Sequence, residues 1–206
     1  PGDHTRMALL ARLLDRTGGG YADARQRFAR LDYLYGADCN VEAILGVKQQ
    51  FLHLSAECLA PDYTPAGTAL LPQLLTLIKQ TLKVALKGEG FSADELRREK
   101  KSLRLAQAAN WSDKAGYAYR RCLSELSGDG AGYLSPEGAS EDFRSINQLG
   151  LLAFYRRLIS QAPLEVFISG GHSCGQMRQW VDEVGIHHLG LDGSENPPNL
   201  RPKQDG

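Results

Sequence analysis

Apolar positions recur with a helical period over residues 5–16, where Met7, Leu10 and Leu14 form one stripe and Leu9 and Leu13 lie beside it. Gly18-Gly19-Gly20 ends that run. A second helix is predicted over residues 22–35, with Phe28, Leu31, Leu34 and Tyr35 as its apolar face, arginines opposite, and Gly36 just past its end. The period then changes to two. Val41, Ala43, Leu45 and Val47 alternate with Asn40, Glu42, Ile44 and Gly46, and Leu52, Leu54, Ala56 and Cys58 alternate with Phe51, His53, Ser55 and Glu57. With polar Lys48-Gln49 between the two runs, residues 37–59 are predicted to form a β-hairpin.

Residues 61–67 read as a loop, and Leu70 to Lys87 as an apolar helix that tolerates Pro72 only in its first turn. Gly88-Glu89-Gly90 ends it. Ser92 and Glu95 form a capping box for the next helix, with Phe91 and Leu96 at the staple positions. That helix runs towards Leu126, with a break expected between Asn110 and Asp113, and residues 128–138 form an irregular loop. Leu151, Leu152, Phe154, Tyr155, Leu158 and Ile159 make the next helix, which Ala162-Pro163 stops because the residue before proline is pushed out of the α region. Leu164, Val166, Phe167 and Ile168 predict a strand over 164–169, closed by Gly170-Gly171, and a last helix follows over 173–184. The tail from Asp192, with Pro197 and Pro198, is expected to be disordered or to begin a linker. These elements predict one α+β domain over residues 1–191. The hairpin and the 164–169 strand would share an antiparallel sheet, with helices packed on one face.

Composition narrows the function. The 206 residues carry 24 basic and 24 acidic side chains, and this zero net charge argues against a nucleic-acid or membrane-surface role. No apolar run approaches the ~20 residues of a membrane span. The polar start PGDHTRM is unlike a signal peptide, and a chain opening on Pro1 is read as processed or as a piece of something longer. Cys39, Cys58, Cys122 and Cys174 form no C-x-x-C pair. They are read as small buried hydrophobes of a reducing, cytoplasmic compartment.

The order of residues in 148–171 is more particular than its pattern. A helix bearing Phe154-Tyr155, the Ala162-Pro163 stop and an apolar strand ending in glycine resemble the end of the first domain of insulinase (pitrilysin) family metallopeptidases. Gly138, Glu141, Phe143 and Ile146 resemble the lead-in to that helix, and Tyr117 to Cys122 resembles a divergent bacterial branch. Arg16-Thr17-Gly18 followed by Tyr21 resembles the segment after the family's zinc helix. The resemblance spans about residues 5–185. It implies a mitochondrial-processing-peptidase-like α+β fold. It also implies opening strands, expected to be largely missing here, and two homologous halves, of which the first is expected here.

Active members carry H-x-x-E-H on the helix before that segment; two His one turn apart bind zinc and the Glu acts as general base. Counting back from Gly18, the His positions fall near Leu9 and Leu13 and the Glu position near Arg12. No His lies between His4 and His53, and no Glu precedes Glu42. Glu99 resembles the first of the family's two Glu residues seven apart, but the second, the ligand, falls on Ala106. The resemblance therefore implies no catalytic residue, no metal ligand and no cofactor in this chain, with zinc expected only in a partner subunit.

Other candidates carry less. His172-x-Cys174 with His187-His188 has poor metal-ligand spacing, and Gly18-Gly19-Gly20 lacks the strand and the Lys-Ser/Thr of a phosphate loop. Tyr117, Tyr119 and Arg120 are a candidate partner interface. Ala37, Asp38, Cys39, Asn40 and Val41 are a candidate peptide-binding edge strand, since strand addition needs an open edge and no metal. The resulting expectation is a non-catalytic subunit that binds peptide or pairs with an active zinc peptidase homologue. The alternative is a peptidase, zinc-dependent or otherwise, whose site is completed by a missing half or a partner chain.

Overall fold

The first helix, α1 (Gly2–Thr17), is the hub of the molecule, because Leu9, Leu10, Leu13 and Leu14 along it are all fully out of water. The computed structural model describes residues 2–17, 24–45, 49–84, 90–109, 112–126 and 138–186. After α1 come α2 (Ala24–Tyr33), β1 (Asp38–Leu45), β2 (Gln50–Glu57), two short 3₁₀ turns, α3 (Leu71–Val84), α4 (Ala93–Ala109) and α5 (Lys114–Leu126). A 3₁₀ turn at Ser140–Arg144, α6 (Gln148–Gln161) and α7 (Cys174–Val184) complete the order.

β1 and β2 pair antiparallel with Val41 opposite Leu54 and Ala43 opposite Leu52. Cys39 and Val41 point into the core, while Ile44 and Phe51 stay on the outer, exposed face. Among the described residues, helices cover the inner face only, so the domain is α+β as the patterning predicts. α1 lies on β1 and contacts α4 and α6. Phe91, Leu96 and Leu103 from the α4 region join Leu151, Phe154 and Tyr155 of α6 and Phe143 and Ile146 of the lead-in around it.

Local signals explain most boundaries. Ser92 Oγ accepts from the Asp94 amide at 3.3 Å, and Phe91 and Leu96 are both buried beneath that turn. Asp113 caps α5 through the Gly116 amide at 2.9 Å, which separates α4 from α5 where the break is expected. Asn147 caps α6 at 2.7 Å, and Gly185, at φ +63°, ends α7 in the left-handed region.

Three expectations change. Residues 164–169 form no strand: among the described residues the sheet has two strands, β1 and β2. Leu164, Val166 and Ile168 pack instead with Leu75 of α3 and Val181 and Trp180 of α7, while Phe167 faces water. Alternation supplied the packing face, but a ladder also needs a paired neighbour. On α2, Phe28 is exposed and Arg27 takes the core side with Leu31 and Leu34. Positions 27, 31 and 34 share a face as well as 28, 31 and 35 do. Finally, Cys39 is buried and Cys58 half-buried, but Cys122 and Cys174 are exposed at helix positions facing water.

Residues 18–23, 46–48, 85–89, 110–111, 127–137 and 187–206 lie outside the described residues. So do the triple glycine, the His187-His188 pair and the tail from Asp192.

Candidate functional site

The face of α1 that meets α4 carries Arg12 and Arg16, one turn apart. Arg12 donates from Nε to Glu99 Oε2 at 3.2 Å and from Nη2 to Ser102 Oγ at 2.9 Å. Arg16 Nε lies 3.0 Å from the other Glu99 oxygen. The Glu99 side chain is only 2% exposed, so both carboxylate oxygens find their partners out of bulk water. A buried carboxylate left unpaired would be costly, and the two guanidinium groups remove that cost.

The resemblance placed the empty zinc-ligand positions near Leu9 and Leu13. Those two residues face the core, and the pair one turn apart that looks at Glu99 is Arg12 and Arg16. Asp15 stands between them in sequence, so the face reads R-x-x-D-R, the spacing of H-x-x-E-H without its residue types. Ala106, on the same helix as Glu99, adds no ligand, and among the described residues no group of three His, Cys, Asp or Glu side chains could hold a metal.

A cavity of about 430 Å³ opens beside this network. Ala8, Ala11 and Leu103 give it apolar walls, Arg12 and Arg16 with Asp15 and Glu99 a charged one, and Val41–Ala43 of β1 form its far side. It is within the ~300–1,000 Å³ of ordinary ligand pockets.

β1 therefore borders the cavity, and its main chain can be read from two hydrogen bonds. The Val41 amide donates to Asp15 Oδ1 at 3.1 Å, and Arg27 Nη2 donates to the Cys39 carbonyl at 2.5 Å. Both groups point away from β2. In an antiparallel ladder alternate residues turn both main-chain groups outward, so Ala43 faces the same way. Arg27 and Asp15 are themselves 3.5 Å apart, and Arg27 is 4% exposed. Of the candidate edge residues, Ala37, Cys39 and Val41 are buried on the inner face and Asp38 and Asn40 are exposed. The Arg27–Asp15 pair already occupies this edge at Cys39 and Val41. Ala43 makes no outward hydrogen bond among the described residues. Burial pushes the Cys39 thiol up, against the opposing pull of Arg27, which leaves it a packing group rather than a nucleophile.

The remaining candidates do not converge. Tyr117 and Tyr119 are both exposed on α5, but two helical positions apart they face different directions; Arg120 lies three beyond Tyr117, and its side chain is outside the described residues. His172 stacks edge-on to Trp180 at 4.7 Å, and Cys174 begins α7 in solvent. Sequence reading placed Arg12 at the expected Glu position but missed Arg27 and the pairing of Arg12 with Arg16. The signal for the latter was two arginines at i and i+4 on the helix where the resemblance expects histidines.

No family model matches the chain. It is 23% identical over 180 residues to a Bacillus subtilis (strain 168) protein named "Probable inactive metalloprotease YmfF", a match covering 87% of this chain and 42% of that protein. The fold is similar to that of a conserved protein from Enterococcus faecalis V583 known from its crystal structure, with TM-score 0.67, 19% identity, and coverage of 78% of this chain and 38% of that one. The chain thus spans less than half the length of each. Its relationship is to a metallopeptidase-like protein, and a distant one. Among the described residues, no helix is long and apolar enough to cross a membrane.

Proposed function

We propose that this chain is a non-catalytic member of the insulinase-like metallopeptidases, which binds extended peptide beside β1 and pairs with an active, zinc-bearing homologue. The observation that carries the reading is the Arg12–Glu99–Arg16 network. At the helix face where the resemblance calls for zinc and a general base, two guanidinium groups are ion-paired to a buried carboxylate. A cation at that place repels a metal, and both carboxylates on this face, Glu99 and Asp15, are engaged by guanidinium groups. The distant likeness to a protein named as an inactive metalloprotease points the same way. Peptide binding is supported by the cavity's position against a strand edge, where main-chain pairing works without metal.

The test is metal content and proteolysis on the same purified sample. The expected result is no zinc retained through dialysis and no cleavage of casein or of unstructured peptides. A pull-down with an H-x-x-E-H-bearing homologue should recover a complex. Near-equimolar zinc with chelator-sensitive cleavage would overturn the reading and favour a peptidase completed by other parts of the protein.

A further inference from the structure

We infer that the cavity between α1, β1 and α4 recognises the free C-terminal carboxylate of an extended peptide. The carboxylate would sit on Arg12 and Arg16 and the peptide main chain along β1 at Ala43. This rests on the peptide-binding reading above and names the end of the peptide that the site selects.

Charge is the first argument. Glu99 balances one of the two guanidinium groups, and Asp15 is engaged by Arg27 at 3.5 Å. Glu42, on the rim, turns its carboxylate to His53 at 3.2 Å on the outer face of the hairpin. Arg12, Arg16 and Arg27 against Glu99 and Asp15 leave one positive charge on the inner side of the hairpin, while Glu42 is turned to its outer face, and a monoanion matches that balance.

Donor geometry is the second. A guanidinium carries five N–H groups. Arg12 uses Nε and Nη2 on Glu99 and Ser102, and Arg16 uses Nε on Glu99. Nη1 of Arg12 and both Nη atoms of Arg16 make no hydrogen bond among the described residues. Arg16 is 60% exposed and Arg12 39%, so these donors are reachable from solvent, and a buried acceptor fixes the inner edge of each fork. Forked donors held this way suit a planar carboxylate.

The third argument is what lies next to those donors. Ala8, Ala11, Val41 and Leu103 are apolar, and Ala43 presents an amide and a carbonyl in strand geometry. A small hydrated dianion such as phosphate gains nothing from an apolar wall and a strand edge. A peptide end uses all three features: its carboxylate, its last side chain and its main chain. Because Arg27 and Asp15 already occupy the edge at Cys39 and Val41, added main-chain pairing is confined to the end of β1 nearest the cavity.

The experiment is fluorescence anisotropy on the intact protein. The probes are an N-terminally fluorescein-labelled hexapeptide of alternating threonine and valine with a free carboxylate, and the same peptide ending in a primary amide. The acid should bind about tenfold more tightly than the amide, the scale of one charge-assisted pair. Arg16→Gln should erase the difference, and Arg16→Lys should restore part of it, both with an unchanged far-ultraviolet dichroism spectrum. The acid–amide comparison needs no variant, so loss of folding cannot mask it. Equal affinity for acid and amide overturns the inference and leaves the peptide reading standing. Binding of neither peptide overturns both. Inorganic phosphate binding more tightly than the acid peptide overturns the inference in favour of a free anion.

Discussion

The Nε of Arg12 lies 3.2 Å from Oε2 of Glu99, across the contact between α1 and α4, and ties two helices through one carboxylate with almost no access to water. Removing one partner of such a pair costs more than the pair itself contributes, because the other charge is left without solvent or counter-ion. Arg12→Ala with Arg16→Ala should therefore lower unfolding free energy by about 3 kcal/mol, and adding Glu99→Leu should recover most of that loss. Urea denaturation of the double and triple variants reads this directly. A loss below about 1 kcal/mol in the double variant would mean that water screens the carboxylate as it does a surface pair.

Gly138 and Gly36 separate two reasons for glycine. Both have positive φ, +75° and +73°. At Gly36 a Cβ would meet nothing within 4 Å, whereas at Gly138 it would fall 2.5 Å from the Cα and Oγ1 of Thr5. Thr5 cannot retreat: it is fully buried, donates to Asp142 at 2.8 Å and accepts from the Ala139 amide at 2.9 Å. Gly36→Ala should cost about 1 kcal/mol, the backbone term alone, and Gly138→Ala at least about twice that. Equal shifts in denaturation midpoint would show that the Thr5 contact relaxes freely.

The parts of this fold that were legible in the sequence are those decided within a few residues. Ser92 with Phe91 and Leu96, the break before Asp113, and the period-two hairpin all depend on neighbours in the chain. What was not legible depends on partners far away. Whether Leu164, Val166 and Ile168 make a strand turns on a hydrogen-bonding neighbour, and the same alternation serves equally well to pack on α3 and α7. Whether Phe28 or Arg27 enters the core turns on a carbonyl at Cys39 and a carboxylate at Asp15. At the site, the lack of any His between His4 and His53 was readable from the sequence alone. The phase of α1 was not: counting from Gly18 selected Leu9 and Leu13, while packing against α4 selected Arg12 and Arg16.

Tyr155 gives the fold an alkaline limit. Its ring is fully buried against Phe91, and its hydroxyl donates to the Leu82 carbonyl at 2.5 Å. Burial pushes the phenol well above its ordinary value of 10.0, because an ionised oxygen there would lose its water. The folded chain thus holds a proton that the unfolded chain releases above about pH 10. A folded-state pKa raised in this way adds stability that is fully present below pH 10 and declines as pH rises beyond it. Tyr155→Phe should cost about 1 kcal/mol at pH 7 for the lost hydrogen bond. At pH 11 the difference should move by about 1.4 kcal/mol in favour of the Phe variant, enough to reverse its sign. Isothermal urea titrations at the two pH values measure it. A gap of constant size would mean that the phenol ionises as freely in the fold as outside it.

Arg27 makes the outer edge of β1 a guarded one. An exposed strand edge invites another strand, and proteins blunt such edges with charges that point inward. Here a buried guanidinium bonds the Cys39 carbonyl and holds Asp15, which in turn accepts from the Val41 amide. Arg27→Met keeps most of the volume but leaves Asp15 without its cation and the Cys39 carbonyl without a donor. Stability should fall by about 2 kcal/mol, the cost of buried polar groups left unpaired. The freed edge should also raise self-association, visible as a concentration-dependent shift in sedimentation velocity. Combining Arg27→Met with Val41→Pro separates the two effects, since proline removes the outward donor that an added strand would use while leaving the inner ladder to β2 intact. The double variant should be no more stable than Arg27→Met but should sediment as wild type does. If Arg27→Met is stable and monomeric at every concentration, the edge is closed by something other than this pair.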